Sequence, residues 1–383
     1  MAVIAYAFPI VACIILWVEF GIDPGLLWAP HVTILAVCWT LTGSAHWLMY
    51  KHRTLSDEYL GGYVSGVFFE EAWTEEVTVT EETRDEDGRV HRRTRVEHHH
   101  HPPKYYCTTS LGSRFRIDSS FFNSVVKLWE APHHQDSWYG SDIVGGIRWG
   151  CHFLYDEAMD TLNISADTWL PKLVEVTQKH QYVNKIKNSN SIFRFEKIHE
   201  WQAIEWGLID YPEIDGLDAP AILSREFNFS STAEHKARVF NAAFAPNAEM
   251  RLYILLFNST KHGVDIAERQ RAYWCGGNKN ELVMCIGVDP GNNVHWAKAF
   301  SWADEPELEV SAAEWLLKQG QLDLDAFMVW MLNNYRIWKR KPFADFNYIR
   351  VALTTIQLVS LLFVSLALSV GTAYFILTQV LQI

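Results

Sequence analysis

Apolar residues run almost without interruption in three places. Residues 351–383 hold no charged side chain, residues 2–20 hold only Glu19, and residues 26–50 hold none and end on Trp47 and Tyr50. A helix rises about 1.5 Å per residue and the hydrocarbon core is about 30 Å thick, so a span takes roughly twenty apolar residues. The pattern predicts an N-terminal helical hairpin, turned at Gly21, Ile22, Asp23, Pro24 and Gly25, and one C-terminal span over 351–375. The alternative for the last stretch is a buried core helix, but an uncharged run of this length points to lipid.

Between these frames the pattern changes. Trp73–Arg84 alternates acidic and β-prone residues, residues 85–88 (Asp-Glu-Asp-Gly) form a turn, and residues 89–97 return with Val90, Arg92, Thr94 and Val96. Acids opposite arginines favour antiparallel pairing, and the ribbon is too polar for a core. It is expected to project as a solvated arm or to lie at a sheet edge. Residues 104–110 and 114–117 read as further strands. Asp118, Ser119 and Ser120 cap a helix carrying Phe121, Val125, Leu128 and Trp129, and residues 165–167 cap another carrying Trp169 and Leu173. Residues 193–206 fit both strand and helix.

The region 251–340 is more legible. Residues 252–257 are a buried strand, 264–274 a helix stopped by glycines, and 282–288 a second buried strand. A turn at Pro290 and Gly291 leads to a strand over 294–302, then to helices over 309–318 and 323–340. The expected fold is an α+β soluble domain carried on transmembrane helices. Its parts are a hairpin at 1–50, a β-rich to mixed region at 54–246 with the ribbon at 73–99, an α/β subregion at 247–341, and an anchor at 350–383.

Charge refines this picture. The net charge of -12 disfavours nucleic acid as a partner, because that needs a basic face to release counterions. The expected partners are the lipid bilayer and a protein, which includes self-association. Six cysteines without a CxxC pair read as reduced core residues of a cytosolic compartment. A basic collar of Arg336, Lys339, Arg340, Lys341 and Arg350, with Trp338 and Tyr348, precedes the last span, and Lys51 and Arg53 follow the second. The turn at 21–25 has no Lys or Arg. The positive-inside bias then predicts the N-terminus inside, the large domain cytosolic and the C-terminus on the opposite side.

Candidate chemistry is sparse. His98, His99, His100 and His101 form a tract, with His91, His133 and His134 elsewhere. Neighbours on a strand alternate faces, so His98 and His100 are the pair that could share an ion. No cofactor is predicted: the tract reads as a polar strand exit, with zinc as the alternative. Gly276, Gly277, Asn278 and Lys279, with Asp289, could hold an anionic or phosphorylated ligand through backbone N–H groups. His199, Glu200 and Glu205 read as an acid–base group or as a solvated helix face, and His31 and His46 lie in or near a span. No catalytic triad or paired-carboxylate set stands out by spacing.

Two resemblances follow from short motifs and one from strand order. The run Ile286, Gly287, Val288, Asp289, Pro290, Gly291 resembles the first-strand motif of RuvC-type resolvases and other RNase H-like nucleases, which implies a magnesium ligand at Asp289. That fold needs further strands and carboxylates after the hairpin, where this chain has helices; an Asp-Pro-Gly turn explains the same letters. The strand order with a membrane helix after it is similar to TPM-domain proteins, in topology only. Glu70, Glu71, Ala72, Trp73 and Thr74, with residues 273–281 (Tyr-Trp-Cys-Gly-Gly-Asn-Lys-Asn-Glu), look like membrane-anchored proteins of tailed phages and bacteria that carry no known activity. The functional expectation is a membrane-anchored interaction or scaffold module without catalysis. The alternative is a membrane-tethered enzyme or binding domain for an anionic ligand at the 276–281 loop. Transport through His31 and His46 would require an oligomer.

Overall fold

A computed structural model describes residues 2–21, 28–84, 90–129, 148–152, 173–189, 195–214, 216 and 219–380. The expected turn at 22–25, the ribbon tip at 85–88, His133, His134, the helix cap at 165–167 and Phe193 lie outside the described residues. The chain divides into two units: Met1–Asp57 with Gln181–Glu196 and Pro342–Ile383, and Glu58–His180 with Lys197–Lys341.

The first unit contains three helices long and apolar enough to cross a membrane: Ala2–Phe20, His31–Thr54 and Thr355–Thr378. Ala12, Leu16, Ile34, Cys38 and Ile376 fill their shared interior, while Ile10, Ile14, Val18, Phe363 and Val370 stay exposed. An apolar exterior of this kind is what a bilayer covers. The first of these helices breaks at Tyr6 and Ala7, because Pro9 has no N–H to give to the carbonyl of Ala5. In lipid a freed carbonyl needs another donor. Ser365 Oγ donates to Ala5 O, and Trp39 Nε1 donates to Tyr6 O at 3.0 Å.

Two boundaries differ from expectation. The second span runs on to Thr54, so Lys51 and Arg53 occupy its last turn, where the helix dipole favours cations. The last helix begins at Thr355 rather than at 351. Thr354 Oγ1 accepts from Gln357 N at 3.2 Å and Gln357 Oε1 accepts from Thr354 N at 3.1 Å, a capping box that sets the start.

The second unit is built on two sheets and a ribbon. Strand β1 (Leu55–Glu70), which starts in the first unit, runs out into β2 (Trp73–Arg84), and β3 (Val90–His101) returns into β4 (Lys104–Thr109). Glu70 stands opposite Lys104 and Trp73 opposite His101, so the two antiparallel ladders keep one register. They part at Glu71 and Ala72 against Pro102 and Pro103, and proline has no N–H for a ladder. Strands β5 (Arg114–Ile117), β6 (Arg148–His152) and β7 (Glu175–Val183) complete a five-stranded sheet, order β5-β4-β1-β6, with β7 also on β1. The polar pattern does not reveal β1, because Gly61, Gly62 and Gly66 interrupt its alternation. Gly61 is required: an added Cβ would lie 2.0 Å from the carbonyl oxygen of Asn241.

The other sheet has the order β11-β10-β9-β8, from β8 (Ile222–Ser224), β9 (Arg251–Asn258), β10 (Glu281–Val288) and β11 (Val294–Ser301). The first three are parallel, joined through helices Ser231–Val239 and Asp265–Tyr273, and β11 is antiparallel to β10. Alternation along β9 serves two cores: Leu252, Ile254 and Leu256 face one cluster, and Tyr253, Leu255 and Phe257 face the other. Burial on both faces explains the continuous apolar run.

Across the expected boundary at 246/247, Ile222–Ser224 pair with residues 254–256 of β9. The helix expected over 323–340 is Leu324–Asn334, followed by a 3-10 turn at Tyr335–Ile337. Trp338 turns extended and is buried, its Nε1 donating to Ser301 Oγ at 3.3 Å, so it is not an interfacial tryptophan. Of residues 195–206, only Glu200–Glu205 are helical.

Candidate functional site

The loop at 276–281 was the sequence's choice for a ligand. It begins where helix Asp265–Tyr273 stops, and Cys275, Gly276 and Gly277 take left-handed φ of 52°, 83° and 76°. A Cβ on Gly277 would sit 2.9 Å from Glu281 Oε2. The loop's donors turn inward. Gly276 N–H donates to Arg271 O at 2.8 Å and Gly277 N–H to Trp274 O at 3.0 Å. Asn278 donates from its backbone and its side chain to the two oxygens of Glu281, both at 2.8 Å, and Tyr211 OH donates to the same carboxyl. The loop does cradle a carboxyl group, and that carboxyl is the chain's own side chain.

Glu281 is wholly buried beside its β9 partner Arg251. Burial pushes its carboxyl above the usual range, against the hydrogen bonds from Tyr211 and Asn278 and the charge of Arg251. Arg251 is buried too; its Nε donates to Tyr253 OH at 2.8 Å and its guanidinium reaches Ala219 O at 3.3 Å. Lys279 lies 3.1 Å from the buried carboxyl of Glu58, which Arg340 also approaches at 3.7 Å. Lys279 is therefore a structural counter-charge and does not project toward solvent.

Asp289 lies at the other end of β10, a strand of eight residues that spans about 25 Å. The structure does not bring it to Lys279 or Asn278. Its carboxylate accepts from Gly291 N at 2.8 Å, Asn293 N at 2.9 Å and Asn293 Nδ2, and His295 Nε2 lies at 3.0 Å. The Asn293 side chain first, then His295, holds this carboxyl well below the usual range. This is the turn-closing role of aspartate before Pro-Gly. Among the described residues, no three His, Cys, Asp or Glu side chains stand together as a metal site.

His98 and His100 share one face of β3, opposite Glu76 and Thr74. His98 Nδ1 is 3.6 Å from Glu76 and His100 Nδ1 is 3.4 Å from Thr74 Oγ1. The collar residues have protein partners in the second unit: Lys339 with Glu305 at 3.8 Å, Arg340 with Glu58 and Glu249, Lys341 with Asp304 at 3.5 Å, and Arg336 with Tyr335 OH at 3.3 Å. Arg350 is exposed. His199 caps Glu200–Glu205 in a capping box with Gln202, the solvated-face alternative. His46 Nδ1 meets Tyr6 OH at 3.0 Å.

Sequence reasoning missed a crevice of about 410 Å³ at the carboxyl ends of β9 and β10, where open parallel sheets commonly bind ligands. Leu256 and Val288 form its floor, and Asn228, Asn292 and Gln321 supply polar groups. Two helices start at its rim. Ser230 Oγ accepts from Ala233 N at 3.0 Å, and Asp323 Oδ1 accepts from Ala326 N at 2.9 Å. Asp323 and Asp325 disfavour an anion here, although Lys236 lies 2.6 Å from Asp325. The described lining has no His, Cys or Lys; its titratable groups are Asp323 and Asp325. The signal in the sequence was two cap residues, Ser230 and Asp323, more than ninety positions apart, and only folding places them on one rim.

Comparison with known proteins returned no match: no family model fits the chain, and no curated protein and no solved structure is similar to it. The likenesses to nuclease and phage proteins rest on the quoted residues alone, and that to TPM-domain proteins on the strand order alone.

Proposed function

We propose that this chain is a membrane-anchored interaction module whose α+β domain lies on the cytosolic side and binds a protein through the β2–β3 ribbon. One observation carries the reading. The loop at 276–281 is closed on Glu281, whereas no described side chain of the ribbon is buried. A two-stranded ribbon with no described side chain buried gains little from its own packing. Its charged and threonine-rich surface suits recognition better than core formation. Cytosolic placement rests on the basic residues that flank the spans.

Two experiments test this. A photo-crosslinking residue at Thr78 or Thr94, compared with one at the exposed Glu314, should give a discrete adduct in cells from the ribbon alone. The adduct mass separates a second copy from another protein. Equal adducts from all three sites, or none, would end the ribbon reading. Orientation is read from the exposed Cys275 with a membrane-impermeant maleimide, using Cys275→Ser as control. Labelling only after membranes are opened supports the cytosolic side; labelling of intact cells reverses it.

The crevice favours a second reading, a small neutral or cationic polar ligand at the carboxyl ends of β9 and β10. Such a ligand should raise the thermal midpoint of the wild type and leave Asn228→Trp unmoved. No shift across that ligand class removes the reading.

A further inference from the structure

The sequence tract His98 to His101 has no acid beside it at ligand spacing on one strand face except Glu97. Folding adds a second one. Residues two apart on β3 share a face, and so does the residue directly opposite. His99, His101 and Glu97 therefore stand on the same face as Glu75, the partner of His99 across the ladder. His99 Nε2 is 3.3 Å from Glu97 Oε2, and His101 Nε2 is 3.3 Å from Glu75 Oε2.

Two of these groups are already held. His101 stacks on Trp73, ring centroids 4.2 Å apart and planes 14° from parallel. Glu97 is gripped by Arg95 through Oε1, which leaves Oε2 toward His99. Two imidazole nitrogens and two carboxylate oxygens thus occupy one strip of strand, with Glu75 drawn from 24 residues upstream of His99. The opposite face offers His98, His100 and Glu76, with Thr74 in the fourth place.

We propose that Glu75, His99, His101 and Glu97 bind a transition-metal dication of the zinc class. Two imidazoles with carboxylate oxygens are a ligand set that zinc accepts in tetrahedral geometry. As the side chains stand, the two imidazole–carboxylate pairs close on each other and no three groups surround one point. The ion inserts between the pairs. Exposures of 52% for His99 and 48% for Glu75 leave these two side chains room to turn toward it, while His101 stays on Trp73. The bound ion would clamp β2 to β3 just above the Pro102–Pro103 break and stiffen the base of the ribbon.

The test uses the full-length protein, without a histidine tag, in detergent micelles. Zinc affinity is measured by titration calorimetry, and cobalt absorption reads the coordination geometry. One ion per chain is expected. His99→Ala with His101→Ala should weaken binding by about tenfold or more, and Glu75→Gln should weaken it comparably. His98→Ala with His100→Ala should leave affinity unchanged. Circular dichroism of each variant confirms that the ribbon stays folded. Equal losses from the two histidine pairs would show a mere tract effect and overturn the site. So would full affinity in Glu75→Gln, or no zinc binding by the wild type near neutral pH.

Discussion

The loop before β10 and the β2–β3 ribbon are both rich in polar letters, and the chain handles them in opposite ways. In the loop, Asn278 and Glu281 close a buried network with Tyr211, beside Arg251 and Tyr253. In the ribbon, Glu81 stands opposite Arg93 in water, and Arg95 reaches Glu81 at 3.9 Å with more than half of each side chain exposed. A buried polar group must find every partner inside the chain, whereas an exposed one exchanges partners with water. The loop is consequently a part of the fold, and the described side chains of the ribbon stay in water.

The sharpest way to break this contrast is Glu281→Ala. Removing the carboxyl leaves Tyr211, Asn278 and Arg251 facing a void, and loss of one partner of a buried charged network costs about 3–5 kcal/mol. Denaturant unfolding of the solubilised protein measures it; a loss as small as that of a ribbon mutant would erase the distinction. Next is Gly287→Ala in the middle of the same sheet. Its Cβ would lie 2.1 Å from the Trp296 ring, and overpacking of this kind costs about 1–3 kcal/mol by the same measurement.

A smaller effect separates the two ends of β10 by pH. The carboxyl of Glu281 is raised in the fold, so the stability it contributes is complete below its unfolded value of about 4.3 and is lost as pH rises through the folded value. Asp289 is lowered, so its contribution is present above about pH 4 and is lost as pH falls. Thermal midpoints followed from mildly acidic to neutral pH should decline less in Glu281→Gln than in wild type. Some decline should remain, because burial also raises Glu309. An unchanged slope in Glu281→Gln would place the titration elsewhere. The smallest effect belongs to the ribbon: Arg93→Glu should shift stability by less than about 0.5 kcal/mol, as exposed pairs do. A larger loss would mean that the ribbon is packed against something after all.

Much of the second unit was legible because local pattern and tertiary role agree there. The apolar runs at 252–257 and 282–288 became β9 and β10, and Asp118 caps the helix Ser119–Trp129 through Phe121 N at 2.7 Å. Strand β1 was not legible, because its glycines answer to a distant backbone at Asn241 rather than to their neighbours. The ligand loop was legible as a glycine turn and illegible in purpose: the acceptor it serves, Glu281, is its own last residue, and Tyr211 and Arg251 arrive from far along the chain.

By itself the sequence determined the three apolar helices, the alternating ribbon and the doubly buried strands, because hydrophobic length and period act locally and need no partner to be read. Tertiary structure decided which polar groups are functional candidates. It joined Asn278 to Glu281, Lys279 to Glu58 and Lys341 to Asp304, and it brought Glu75 across from His99. The availability of a charged or hydrogen-bonding group depends on what stands within about 3–4 Å of it, and for these residues that neighbour is set by register and packing.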